Sequence, residues 1–315
     1  MILVIGEILF DLFGNTRKIG GAPFNFAFHL KKLGFAVRFV SRVGTDALGR
    51  EILSFLEQHQ FDLADIQIDP NHGTGTVKVR LADHGHVFTI APDTAWAHLA
   101  FNKRLSDLLQ QSCELLYFGS LIQHNEKGIT LIQKAVGQKQ SGTTVFCDLN
   151  LRPNFHGPAV IKAALKASDI LKLSREEWLE ISDIRISETL NQGTLNKETL
   201  NKETMDLFMT AHDLKLIVLT LGSLGSQWIT RGKSYPCPPF LKKKIVDTVG
   251  AGDAYAAISA AGWLKKLPIR TTMGLASEFA GYICEIKGAL PEDEHIYNEF
   301  KQRIQKKRGH TKDDP

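Results

Sequence analysis

The sequence predicts a doubly wound α/β fold: a mainly parallel sheet with helices on both faces and a small inserted β-sheet. Three observations predict it. Short apolar runs recur, each ending in polar or glycine residues and followed by a helical pattern. Between about 64 and 92 the pattern changes to alternating polar and apolar residues around the turn Asp83-His84-Gly85. Near the end, Asp247-Thr248-Val249-Gly250-Ala251-Gly252-Asp253 runs into an Ala-rich helix, a glycine turn whose free amides attract negative charge.

The totals suit one domain spanning 1–315. The 315 residues are 43% hydrophobic and 23% charged, with a net charge of only +4. Much of that charge lies in Lys301–Arg308, which reads as a solvated helix end and gives no basis for a nucleic-acid partner. Cys113, Cys147, Cys237 and Cys284 have no paired spacing, so reduced thiols and a cytoplasmic location are expected. No apolar run reaches membrane-spanning length, and Met1–Gly6 is too short for a signal peptide.

Ile2–Ile5 reads as a buried strand, and it delivers Glu7 and Asp11 to the carboxyl end, where open α/β sheets bind ligands. Loop charge is the plain alternative for both, and Asp11 is the one assigned to the site. Gly20-Gly21-Ala22-Pro23-Phe24-Asn25 opens a helix that Gly34 closes. Asn25 falls in its first turn, facing a ligand held over Gly20 and Gly21. Phe24, Phe26, Phe28 and His29 read as core. Ala36–Val43 is a strand and Ala47–Gln58 a helix. The inserted strands, within about 10–20 and 64–92, have the position of a lid. From Asp93 the alternation is regular: helix 94–110, strand 115–118, helix 126–136, strand 144–147, helix 159–167, strand 169–173.

Arg152 and Lys172 follow neighbouring strands and suit a phosphate. Ser174 and Glu177 also fit a capping box, so the residues alone leave both readings open. Three near-copies of a pentad fill 189–203. A five-residue period matches neither helix nor strand, and the segment reads as an expanded surface loop. Leu216–Leu221 is a strand leading into Gly222-Ser223-Leu224-Gly225, where a nucleotide can lie close to backbone. This is not a Walker A loop, because no Gly-Lys-Ser/Thr follows. Helices to about Leu264 and from Thr271 to Lys287, then a charged terminal helix, complete the chain.

With these motifs in order, the chain resembles the ribokinase-like sugar kinases, also called the phosphofructokinase-B family, over its full length. Gly20–Asn25 is similar to the sugar-binding glycine pair and asparagine. Asp247–Asp253 matches the signature Asp-Thr-x-Gly-Ala-Gly-Asp. The resemblance implies ATP-dependent phosphorylation of a small sugar. It makes Asp253 the general base, the amides of Gly250, Ala251 and Gly252 an anion hole, and Asp11, Gly20, Gly21, Asn25 and Arg152 the substrate side. Asp148-Leu149-Asn150-Leu151-Arg152-Pro153 is similar to the Asp-x-Asn-x-Arg stretch of fructokinases and 2-keto-3-deoxygluconate kinases. Lys172–Glu177 resembles Lys-x-Asn-x-x-Glu, with Ser174 in place of asparagine as on the fructokinase side of the family. Asn150, Lys172, Ser174, Thr220, Gly222, Gly225 and Ala276 are thereby placed on the nucleotide side. Glu177 would hold magnesium through water, and Asp247 with the Gly288 region a potassium ion.

Pro23 stands where ribokinases commonly carry lysine, and Ala95-Trp96-Ala97-His98-Leu99 is similar to bacterial fructokinases, so fructose leads. The runner-up is 2-keto-3-deoxygluconate or another sugar acid, with Arg80 or Arg152 against its carboxylate. A non-catalytic sugar sensor has no need of the base. The resemblance also implies a homodimer paired through the lid.

Overall fold

The expected alternation builds one large sheet. The protein was examined as a computed structural model, which describes residues 1–82, 85–181, 202–240 and 245–305. Nine strands form it: β1 (Ile2–Ile5), β4 (Val37–Gly44), β5 (Ile66–Asp69), β8 (Leu115–Gly119), β9 (Thr144–Asp148), β10 (Ile170–Ser174), β11 (Leu216–Thr220), β12 (Ser226–Thr230) and β13 (Lys233–Cys237). Their order is β13-β12-β11-β10-β9-β8-β1-β4-β5. Pairing is parallel from β5 to β11, the β11–β12 and β12–β13 pairings are antiparallel, and β12 alone runs against the rest. β1 sits inside the sheet and is buried on both faces, which is why it reads as an unbroken apolar run.

A second sheet, in the order β3-β2-β6-β7, contains β2 (Leu9–Phe13), β3 (Thr16–Gly20), β6 (Gly75–Ala82) and β7 (Gly85–Ile90). The alternating stretch 64–68 does not join it. β5 pairs parallel with β4 at the edge of the large sheet. Its polar residues are explained by ion pairs, since buried Asp65 binds Arg38 and Arg104 and buried Asp69 binds Arg42.

Helices cover both faces. Against one lie α1 (Ala22–Lys32), α2 (Ala47–Gln58), α8 (Ala251–Leu264), α9 (Ile269–Ile283) and α10 (His295–Gln305), sharing a core with Ile2 and Val4. Against the other lie α3 (Lys103–Leu109), α4 (Glu126–Gln138), α5 (Pro158–Ala167), α6 (175–181) and α7 (Lys202–Ala211), with Leu3 and Ile5. Phe24, Phe26 and Phe28 are core, as expected. So is His29, whose Nδ1 meets the Tyr297 hydroxyl at 2.9 Å and whose pKa burial pushes down to about 3.

The helix expected over 94–110 is broken. One 3-10 turn, Ala95–His98, is followed by α3, which Asn102 restarts by accepting the Leu105 N–H at 2.9 Å. The pentads lie outside the described residues, except that α7 begins at Lys202. In the basic tail, Arg303 is paired with Glu278 and Glu299. No helix among the described residues is long and apolar enough to cross a membrane.

Helix α8 is buried on all sides along most of its length, which its alanines permit. Gly262 meets Thr272 of α9 where any Cβ would collide with that side chain. On the sheet side, the Tyr255 hydroxyl contacts Ser226 Oγ at 2.7 Å and accepts the Trp228 indole N–H at 2.9 Å. Tyr255→Phe strands both partners in the core, so it should lower the unfolding free energy by about 1–3 kcal/mol in denaturant titrations.

Candidate active site

A cavity of about 400 Å³ opens between the carboxyl ends of the central strands, the start of α8 and the underside of the small sheet. Open parallel sheets place ligands there because the strand ends and helix starts converge. The small sheet contributes Val77, Phe88 and Ile90 to its roof.

Gly250 is the N-cap of α8, with φ of 81°. An L side chain is strained at that angle, and a Cβ would also run into Ala289. Gly250 is therefore required by the turn itself. Gly252 is not, since a Cβ there would meet only Lys172 Nζ at 3.5 Å. Its use is an open face toward the cavity. The Ala251 amide leans back on the Thr248 carbonyl at 3.3 Å, while the amides of Gly250 and Gly252 have no partner among the described residues. These amides carry the partial positive charge of the helix start.

Asp253, in the first turn of α8, faces the same cavity. Its Oδ2 accepts a hydrogen bond from Asn25 Nδ2 at 2.7 Å, and Asn25 Oδ1 is buried without a partner. Burial raises the Asp253 pKa to about 6, the Asn25 bond opposes the rise, and Asp148 adds to it.

Asp11 and Glu7 stand on the opposite wall. Burial raises each to about 7, and Arg152 pulls both down. Gly20 pairs with Leu9 across the β2–β3 ladder, and the Asp11 carboxylate fills the place its Cβ would take. Gly21, at φ 110°, caps α1 where a Cβ would strike the Glu7 carbonyl. The glycine pair thus makes room for the acids of β2 and the preceding turn, and only Gly21 lines the cavity. Glu7 was left unassigned by sequence reasoning. It is 2% exposed, its Oε2 has no partner, and it lines the cavity. The available signal was a carboxylate interrupting an apolar run at a strand's carboxyl end.

Arg152 stacks its guanidinium 5.1 Å from the Phe88 ring, joining the base of the cavity to its roof. Asn150, at φ 38°, also lines the cavity. Lys172 does not reach into open space. Its Nζ donates to both oxygens of Asp148 at 2.9 Å, in a pair almost wholly buried. Burial alone would lower the Lys172 pKa, but Asp148 outweighs it and the group stays above its ordinary value. Glu177 and Ser174 form the capping box: the Ser174 amide donates to Glu177 Oε2 at 2.7 Å and the Glu177 amide to Ser174 Oγ at 3.2 Å. Glu177 Oε1 also accepts the Leu151 amide at 2.6 Å, so it holds the loop that carries Arg152.

Of the residues placed on the nucleotide side, Asn150 lines this cavity and the others are not among its lining residues. Thr220 Oγ1 donates to the Leu173 carbonyl. Gly222, at φ 58°, has open space over its Cα. Gly225, at φ 96°, lies hard against the backbone of Cys237–Pro239, so packing and dihedral explain it. Ala276 is 0% exposed in the core. Asp247 accepts the Val249 amide at 3.1 Å and the Gly288 amide at 3.0 Å, bracing the turn before α8.

Comparison with known proteins agrees with this geometry. Residues 1–295 match the family model described as pfkB family carbohydrate kinase. A fructokinase of Rhizobium leguminosarum bv. trifolii is 26% identical over 276 residues, covering 82% of this chain and 78% of its own. A 5-dehydro-2-deoxygluconokinase of Bacillus anthracis is 23% identical over 302 residues, covering 90% and 88%. The crystal structure of a fructokinase with bound ATP from Xylella fastidiosa superposes with a TM-score of 0.78 at 21% identity, covering 96% and 98%. The fold is thus the ribokinase-like one.

The Glu7 carboxyl carries a stability signature. Its folded pKa of about 7 lies above the ordinary 4.5, so the folded state holds the proton more tightly and loses stability as pH rises between those values. Glu7→Gln removes that loss. The variant should gain on wild type by up to ~3 kcal/mol at pH 8 and by much less at pH 5, read from unfolding curves at both pH values.

Proposed function

We propose that this chain, which belongs to the pfkB family of carbohydrate kinases, transfers the γ-phosphoryl group of ATP to a hydroxyl of a small neutral sugar, with fructose as the leading substrate. The observation that carries the reading is the placement of Asp253. A carboxylate whose Oδ2 is held by Asn25 stands one helical turn from amides that have no other partner.

Above pH 6 Asp253 is ionised and accepts the proton of the attacking hydroxyl. The new O–P bond forms as the bond from the γ-phosphorus to the bridging oxygen breaks, and ADP departs with that oxygen. Charge spread over the transferring group is met by the Gly250 and Gly252 amides and the helix behind them. Asp11, Glu7 and the open Asn25 Oδ1 supply acceptors for the remaining hydroxyls, and with pKa values near 7 the two acids also donate. The adenosine side would lie along Thr220 and Gly222, where the backbone is open to close approach.

Magnesium would neutralise donor phosphate charge, and Glu177, buried beside the Asn150–Arg152 loop, is suited to hold it through water. A potassium ion at Asp247 would share that carboxylate with backbone amides. Both Asp247 oxygens take backbone amides, and the neighbouring Lys287 carbonyl takes the Lys18 ammonium at 2.5 Å.

A sugar-acid substrate is the second reading, favoured by Arg152 on the cavity wall. Three carboxyl groups, Glu7, Asp11 and Asp253, share the cavity with a single arginine, which favours a neutral polyol. Arg80 is exposed on β6, whose buried Val77 and Val79 alternate with it. It gives no help in the cavity.

A coupled ADP-release screen over neutral sugars and sugar acids should show turnover with fructose. Release with an acid and none with fructose would select the second reading, and sugar binding without release would select a sensor. Asp253→Asn should lose about 10²–10⁴-fold in kcat while still binding sugar. In the wild type, kcat/KM should rise with pH and level off above about 6. Replacing potassium with tetramethylammonium tests the Asp247 site, and unchanged turnover would remove that ion from the reading.

A further inference from the structure

Three potential metal ligands meet outside the catalytic cavity, where the roof joins the body. The chain leaves the large sheet at Asp69, enters the roof at Gly75, and returns after Ile90. His72 lies on the outgoing connection and Asp93 on the returning one, while His98 ends the 3-10 turn that follows. The connections already touch, because the Ala95 amide donates to the Gly73 carbonyl at 2.8 Å.

The donor atoms of His72, Asp93 and His98 all lie within 4.8 Å of one another. Asp93 Oδ1 is 2.6 Å from His98 Nε2 and 3.9 Å from His72 Nε2. Donors around a tetrahedral ion with bonds near 2.0–2.1 Å are roughly 3.3 Å apart, so these spacings bracket the requirement. The two imidazoles stack with centroids 3.6 Å apart and need only tilt to address one ion. His72 is also prepared from behind. Its Nδ1 meets the Asp69 carboxylate at 3.0 Å, and Asp69 is fully buried and paired with Arg42 at 2.9 Å. A carboxylate behind Nδ1 fixes the proton there and leaves the Nε2 lone pair for a cation. Asp93 holds a left-handed φ of 52°, an angle few aspartates adopt. A second cavity of about 440 Å³ opens beside Asp93 and His98, and Glu126 on its wall leaves room for further ligands or water.

We propose that His72, Asp93 and His98 form a site for a borderline divalent transition cation, zinc first, that joins the two connections of the roof to the body. Two imidazoles and one carboxylate select such ions over magnesium, which prefers oxygen ligands. The ion takes the Nε2 lone pair of neutral His98, whose proton then sits on Nδ1, and replaces the His98–Asp93 hydrogen bond.

The test uses untagged full-length protein in magnesium-containing buffer. Calorimetric titration with zinc should give one saturable equivalent, and cobalt should bind there with visible d–d bands that magnesium does not produce. His72→Ala and His98→Ala should each weaken that equivalent at least about tenfold. Asp93→Asn, at an exposed position that does not threaten folding, should do the same. Hydrogen exchange at 70–74 and 91–94 should slow when zinc is added. Absence of a saturable equivalent, an equivalent indifferent to all three substitutions, or unchanged exchange in both connections would overturn the proposal. None of these measurements depends on kinase turnover.

Discussion

The hydrogen bond from Asn25 to Asp253 joins residues 228 apart in the chain, and the position of the Asp253 carboxylate depends on it. It can form only if the first turns of α1 and α8 lie side by side. The alanines of α8 and its buried, almost featureless surface allow that approach. Tyr255 anchors the helix to β12, and Gly262 lets α9 press on it from the other side. Core packing thus sets the position of one carboxylate to within hydrogen-bond length, which a loop could not do.

That same convergence crowds acids together. Glu7, Asp11 and Asp253 share one cavity, with Asp148 and Asp247 nearby, and burial raises the pKa of the first three. The positive charges are arranged to make this tolerable. Lys172 is committed to Asp148, and Arg152 is left facing the cavity with its plane against Phe88. Because Glu177 holds the Leu151 amide, the position of that arginine is fixed through the backbone. An acid pair poised near neutrality can both accept and donate, a useful property beside a polyhydroxyl ligand.

Much of this was legible in the sequence. Apolar runs ending in polar residues marked the parallel strands, and the glycine turn marked the start of α8. The losses have physical causes. β5 alternates like a half-exposed strand because its acids are neutralised by Arg38, Arg42 and Arg104 from elsewhere in the chain, and no local pattern reveals such partners. The break at 99–102 was readable, since Asn102 stands three residues before Leu105 as an N-cap should. Gly20 and Gly225 look alike in sequence as ligand-approach glycines. One yields space to a carboxylate and the other to a crossing backbone, a distinction that needs coordinates. Glu7 was visible, but its orphaned oxygen was not.

The roof is tied to the turn before Asp253 through backbone as well as to the cavity through Arg152. Lys18, on β3, donates to the Lys287 carbonyl at 2.5 Å and covers Gly288. The Gly288 amide binds Asp247, and the adjacent Ala289 packs against Gly250, the residue whose amide faces the cavity. A shift of β3 would therefore be felt at the start of α8 by direct contact. The opposite edge of the roof ends in the connections that carry His72 and Asp93. The small sheet is thus held by a cation donor beside the turn before α8 at β3, and by a cluster of imidazoles and carboxylates at the connections into β6 and out of β7.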